Sequence, residues 1–255
     1  MKHIAVMIRG HLRTWNYNKQ VIFDFYDSIA DNVDYYFATW GMYDPAVISS
    51  VQQDFAGKNL IKLLTVPVVS DIYNGWIGPG LFSYLLIPYK RQREKKVKYD
   101  AVFDMRPDVI IGLRDQNIIC PEPKTLYTTH FNNQREILID PSSKFCIGLA
   151  DHFFVTTSEV YDIMSHRYII FAIEGPHIAI QRICEAEGIN ACTISWINVE
   201  MTRPNCFDDV PDSRKYIGSE RRDWIVLSSE EKIQLLNRHG IKIEDYMTDS
   251  MTCSI

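Results

Sequence analysis

Ile4-Ala5-Val6-Met7-Ile8-Arg9-Gly10-His11-Leu12-Arg13-Thr14-Trp15 opens the chain with an unbroken apolar run that meets three basic residues around a glycine. An apolar strand without polar alternation is buried on both faces, as a central strand of a parallel sheet is. Behind it Ile22, Phe25, Tyr26 and Ile29 recur at helical spacing, which predicts a helix over residues 18–29, and residues 33–39 read as the next strand. Strand, helix and strand in this order make a βαβ unit, and hence a parallel sheet with a right-handed crossover. The expected class is α/β, a Rossmann-like mixed but mostly parallel sheet flanked by helices.

The alternation continues with a short helix near 46–53 and a strand near 60–69, and residues 74–80, rich in Gly, read as a loop. The next helix presents Leu81, Phe82, Leu85, Leu86 and Tyr89, with Pro88 predicting a kink or a late start. It runs into Lys90–Lys98, where six cations face Glu94 alone. Such a run is either a solvated helix face or a peripheral contact for anionic lipid or glycan phosphate. Beyond it, β-like pieces are expected near 125–129, 136–139 and 152–157, then a helix capped by Ser158 and one over 176–187 closed by Gly188. A strand over 191–199, a loop or lid over 202–222 and a last helix with a Ser228/Glu231 capping box complete the reading.

Residues 99–111, Tyr-Asp-Ala-Val-Phe-Asp-Met-Arg-Pro-Asp-Val-Ile-Ile, read as an apolar strand that turns charged at its C-terminal end. Strand alternation would put Asp104, Arg106 and Asp108 on one face, where open α/β sheets bind ligands. Two carboxylates and a guanidinium there suit a metal, a phosphate and a sugar hydroxyl, and a buried ion pair at a strand end is the plain alternative. Arg9, Gly10, His11 and Arg13 crowd the loop after the first strand, where backbone amides and cations can meet a phosphate. Trp40 offers a face for a base or sugar, or else packs in the core. Asp151 or His152, before a strand, and Glu174, at a helix start, are candidates for proton removal from an acceptor hydroxyl.

Four ordered segments carry a resemblance: residues 8–15, 33–40, 98–108 and 150–155. They resemble a family of small GT-A-like glycosyltransferases of bacteria and large viruses, whose members show Gly-x-x-Arg-Thr, Asp-x-Phe-x-x-Thr-Trp and Tyr-Asp-x-x-x-x-x-Arg-Pro-Asp. The resemblance covers about residues 3–190 and implies one GT-A-like domain. Residues 1–115 would be its nucleotide-sugar half, and 116–255, with the C-terminal helix, its acceptor half. It implies transfer of a hexosyl or pentosyl group from a nucleotide-sugar to a glycan or other hydroxyl acceptor, as in polysaccharide biosynthesis. Arg9, Gly10, His11, Arg13, Thr14, Trp40, Asp104 and Arg106 would contact the donor, and Asp108, Asp151 and Glu174 would serve the chemistry. Arg106 stands where such enzymes carry the first aspartate of Asp-x-Asp. A Mn2+ or Mg2+ ion would therefore rest on Asp108, or Arg106 would neutralise the diphosphate directly.

Composition narrows the alternatives. With 46% hydrophobic and 23% charged residues the chain is globular, and a net charge of −5 offers nucleic acid no overall attraction. The opening apolar run is too short for a signal-peptide core or a membrane span, so a cytoplasmic location is expected. The six cysteines form no close pair, which predicts reduced, inert thiols and no zinc site. A sugar-nucleotide nucleotidyltransferase would show a richer glycine signature with a following Lys, which Gly10 alone does not supply. A catalytically silent nucleotide- or glycan-binding module would share every binding feature and turn nothing over.

Overall fold

The computed structural model describes residues 1–67, 78–115, 118, 120–130, 149–171, 176–194, 196–201, 234 and 237. In chain order the elements are β1 (His3–Arg9), α1 (Trp15–Ile29), β2 (Asn32–Trp40), α2 (Pro45–Asp54), β3 (Asn59–Val66), α3 (Gly78–Glu94), β4 (Ala101–Met105), β5 (Val109–Leu113), β6 (Thr125–His130), β7 (Leu149–Thr156), α4 (Ser158–Phe171), α5 (Pro176–Glu187), β8 (Asn190–Thr193) and β9 (Ile197–Met201). Seven strands form one sheet in the order β3-β2-β1-β4-β7-β6-β8. All neighbours pair in parallel except β7, which runs against both β4 and β6. The α/β, Rossmann-like, mostly parallel class expected from the first βαβ unit is the one observed.

The absence of alternation in β1 has a packing cause. Ile4, Val6 and Ile8 join a core with Trp15, Ile22, Phe25 and Tyr26 of α1, while Ala5 and Met7 join a second core with Leu81, Phe82 and Leu86 of α3. Both faces of the strand are therefore covered by helices. The chain steps from β1 to β2 to β3 in one direction and then returns past β1 to β4, so the strand order reverses between β1 and β4. Ligands of open α/β sheets bind outside the carboxyl ends of strands at such a reversal.

Several boundaries differ from expectation. α3 starts at Gly78, so Gly78-Pro79-Gly80 belongs to the helix and not to the loop, with Pro79 in the first turn, where its missing N–H costs nothing. The helix then runs through Pro88 to Glu94. Gly80 is required by close approach: a Cβ there would lie 2.0 Å from Cδ1 of Tyr168 on α4. Gly80→Ala is expected to lower unfolding free energy by about 1–3 kcal/mol, the usual cost of overpacking. An unchanged urea midpoint would show that α3 and α4 do not meet this closely.

Residues 99–111 are not one strand. β4 stops at Met105, Pro107 and Asp108 turn, and β5 leaves the main sheet to pair antiparallel with β9. Residues 191–199 divide likewise, β8 joining β6 and β9 joining β5. The cap of α4 is Thr157, whose hydroxyl accepts from Val160 N at 3.3 Å, whereas Ser158 is spent on Glu94 and Lys90. Gly188 closes α5 with φ +62°, as expected. The piece near 136–139, the lid over 202–222 and the Ser228/Glu231 pair lie outside the described residues, while Gln234 and Asn237 are helical.

The basic run is a correction. Lys90 is fully buried between α3 and α4, 2.9 Å from Glu94 and 3.0 Å from Asp162. Arg91 pairs with Asp162 at 2.7 Å and Arg93 with the buried Asp34 at 2.8 Å. Burial would raise the Asp34 pKa, but hydrogen bonds from Arg93, Tyr99 and His3 outweigh it and hold the carboxyl below its ordinary value. Half of the six cations thus fasten the helix to the protein, and Lys95, Lys96 and Lys98 remain exposed. No helix among the described residues is long and apolar enough to cross a membrane.

Candidate functional site at the β1/β4 switch point

Gly10 leaves β1 at the reversal with φ +130°, a conformation that only glycine adopts without strain. Its amide donates to the Ala38 carbonyl at 3.0 Å, which starts the loop over β2. A Cβ on it would meet Pro107 Cδ at an ordinary 3.5 Å, so backbone conformation and not space requires the glycine.

Across the reversal stands the Arg106-Pro107-Asp108 turn, held from two sides. The Pro107 carbonyl accepts from Thr14 Oγ1 at 3.1 Å and from Asn18 Nδ2 at 2.9 Å, and the Arg106 amide donates to the His152 carbonyl at 3.0 Å. Thr14 is the N-cap of α1, yet it makes no side-chain cap: its hydroxyl donates to Pro107 and accepts from Asn18 Nδ2 at 3.3 Å. Through the bond to Pro107, Thr14, expected as a donor contact, positions the turn. Asn18 was missed by the sequence reading. The one signal for it was a small amide in the buried stripe of a helix.

Arg106 grips Asp108 in a two-point fork, Nε to Oδ1 at 2.9 Å and Nη2 to Oδ2 at 2.6 Å. The guanidinium side chain is 25% exposed and the carboxylate 8%. His11 and Arg13 are the loop's contribution to the same mouth. His11 Nδ1 lies 3.2 Å from the Tyr43 hydroxyl, which also accepts from Leu12 N at 2.9 Å. Burial, then the charges of Arg13 and Arg106, push the His11 pKa down to about 3 against the smaller opposing pull of Asp108. The histidine is thus a neutral polar group near neutral pH, and Arg13 and Arg106 carry the positive charge.

Between about pH 6.5 and 3 the unfolded chain binds a proton at His11 that the folded chain refuses, so stability contributed here is present above pH 6.5 and falls as the solution is acidified. The urea midpoint is expected to drop between pH 7 and 4.5, and His11→Gln should flatten that slope. An identical slope in the variant would place the proton elsewhere.

Other expected site residues are relocated. Asp104 lies beneath α3, fully buried, where Oδ1 accepts from Arg9 Nε at 2.5 Å and Oδ2 from Ser83 Oγ at 3.0 Å. Because β4 ends at Met105, Asp104 does not share a face with Arg106 and Asp108, and of the two readings it fits the strand-end ion pair. Arg9 is only 2% exposed, so it is that aspartate's counterion rather than a contact at the loop surface. Trp40 is buried with its ring 4.8 Å from Phe82 and is a core residue, not a stacking platform.

β7 supplies the last component. Running opposite to β4, it sets Phe153 beside Met105 and brings its N-terminal end to the carboxyl end of β4. The backbone of Asp151 and His152 therefore lies next to the Arg-Pro-Asp turn, with the His152 side chain buried. Glu174 lies outside the described residues.

Manganese or magnesium would need hard oxygen ligands. Among the described residues no group of three or more His, Cys, Asp and Glu is placed to hold a metal ion. The two carboxylates expected to face such an ion are engaged by Arg106 and by Arg9 with Ser83. Among the described residues the donor set does not fit a cation site. Of the described cysteines, Cys184 is buried with its thiol pushed up to about 12 by burial, whereas Cys120 and Cys192 are exposed. No protein-family model matches the chain, and no curated protein gives a significant match.

Proposed function

We propose that the chain is a nucleotide-sugar-dependent glycosyltransferase with a GT-A-like arrangement of the sheet. The observation that carries this reading is the meeting, at the β1/β4 switch point, of the Gly10 loop with the Arg106-Pro107-Asp108 turn, joined through the Pro107 carbonyl. One end is cationic and suits a diphosphate. The other is the N-terminal end of β7, where Asp151 lies within the segment 150–155 that carries the resemblance.

In the proposed reaction an acceptor hydroxyl oxygen bonds to the anomeric carbon while the bond from that carbon to the diphosphate oxygen breaks. The nucleoside diphosphate leaves with the bonding electrons, and Asp151 takes the acceptor's proton. Arg13 and Arg106 meet the charge that grows on the leaving group, in a mouth whose backbone is already fixed.

The test is a thermal-shift and calorimetric screen of nucleotide-sugars, followed by assay of donor hydrolysis and transfer. Stabilisation by at least one donor together with turnover is expected. Binding without turnover on any acceptor is the result a silent binding module would give. Arg13→Ala should weaken a nucleoside diphosphate by about ten- to a hundredfold, the loss of one charge-assisted contact of roughly 1.5–3 kcal/mol. Unchanged affinity in the folded variant would remove the diphosphate from this loop.

A further inference from the structure

The engaged state of the two carboxylates has a consequence for how the leaving group is held. We infer that the diphosphate is bound without a divalent cation, by the guanidinium groups of Arg106 and Arg13, with Asp108 acting as the residue that aims Arg106. This inference rests on the reading of the site as a nucleotide-sugar site and specifies what neutralises its ligand.

Three observations lead to it. The first is geometric. Arg106 and Asp108 are two residues apart on a tight turn, and the fork uses both carboxylate oxygens. A metal ion at Asp108 would have to share the carboxylate with the guanidinium and sit beside it as a like charge, whereas a phosphate oxygen brought to Arg106 meets an opposite charge. A guanidinium is always protonated and presents its donors in a rigid plane, so one fixed by a carboxylate on one edge is already oriented for an anion.

The second observation is the sign of the local field. Arg9 and Asp104 cancel one another beneath the sheet surface, and at His11 the effects of Arg13 and Arg106 outrank that of Asp108. Among the described residues the field at His11 is therefore positive before any ion is added. The third is rigidity. Thr14, Asn18 and the His152 carbonyl hold the backbone of the turn, which fixes the positions from which the Arg106 and Asp108 side chains reach one another.

The experiment is calorimetry of the full chain with a panel of nucleoside diphosphates (UDP, GDP, ADP and CDP), in excess EDTA and again in excess Mn2+. At least one diphosphate is expected to bind with affinities that agree within about threefold between the two media. Arg106→Ala is expected to weaken it about ten- to a hundredfold in both, and Arg106→Lys, which keeps the charge and loses the planar fork, about tenfold. Circular dichroism and thermal melts establish that each variant is folded, and the lysine variant keeps the test open should the alanine variant not fold.

Binding that appears with Mn2+ and vanishes in EDTA would overturn the inference while leaving the glycosyltransferase reading standing. Wild-type affinity in both folded Arg106 variants would also overturn it, since the counter-charge would then lie elsewhere. Failure of every diphosphate to bind in both media would take down the reading of the site and the inference together.

Discussion

Asp104→Ala is expected to destabilise the protein by about 3–5 kcal/mol, which is a large share of a domain's total stability. The cause is the partner left behind. Arg9 is 2% exposed, and without the carboxylate its guanidinium would be a buried charge with its Nε bond broken. Replacing both partners by apolar residues of similar volume, as in Arg9→Met with Asp104→Leu, should return most of the loss, because the desolvation penalty disappears with the charges. Urea unfolding of the single and double variants checks the pair as a thermodynamic cycle. The double variant should also bind nucleoside diphosphate nearly as wild type does. A single-variant cost under about 1 kcal/mol would mean that the pair is not desolvated as described.

Asp151→Asn is expected to slow sugar transfer about a hundredfold or more while donor binding persists, the usual contribution of a general base. The placement follows from the reversed strand: the residue stands one position before His152, whose carbonyl holds the Arg106 amide. His152→Ala should slow transfer less. If a histidine were the base, the rate would fall below its ordinary pKa of about 6.5, whereas a carboxylate stays competent well below that. Transfer at the wild-type rate by Asp151→Asn would move the base elsewhere, with Glu174 next to be replaced.

The parts of the fold that could be read from the chain are those with an unambiguous period. β1, β2, α1 and α5 lie within a few residues of expectation because a continuous apolar run or a clean helical stripe admits one burial pattern. What could not be read is tertiary in origin. Residues 99–111 look like one strand because Val109 and Ile111 are as apolar as Val102 and Phe103, but only pairing with β9 shows that the second half belongs to another sheet. The fate of Asp104 was equally hidden, since alternation predicts a face and not what covers it: here α3, with Ser83. Lys90 misled for the opposite reason. A cation in a basic run reads as solvated, and its burial depends on Asp162, which is distant in sequence. At the site, Gly10 and the residues Arg106 and Asp108 were legible as candidates, whereas the turn that carries the latter was not, nor was the neutrality of His11, which arises from burial and from the charges of Arg13 and Arg106.

The Pro107 carbonyl, gripped by Thr14 and Asn18, ties together two segments far apart in sequence. Neither can be altered as an independent cassette. A chimera that imported the loop of residues 9–15 from another protein without its matching turn at 106–108 would carry a hydroxyl aimed at a carbonyl in the wrong place, and would lose both. Laboratory evolution of this protein should accordingly fix changes in these two stretches as pairs, so libraries that randomise one alone are expected to return the parent sequence.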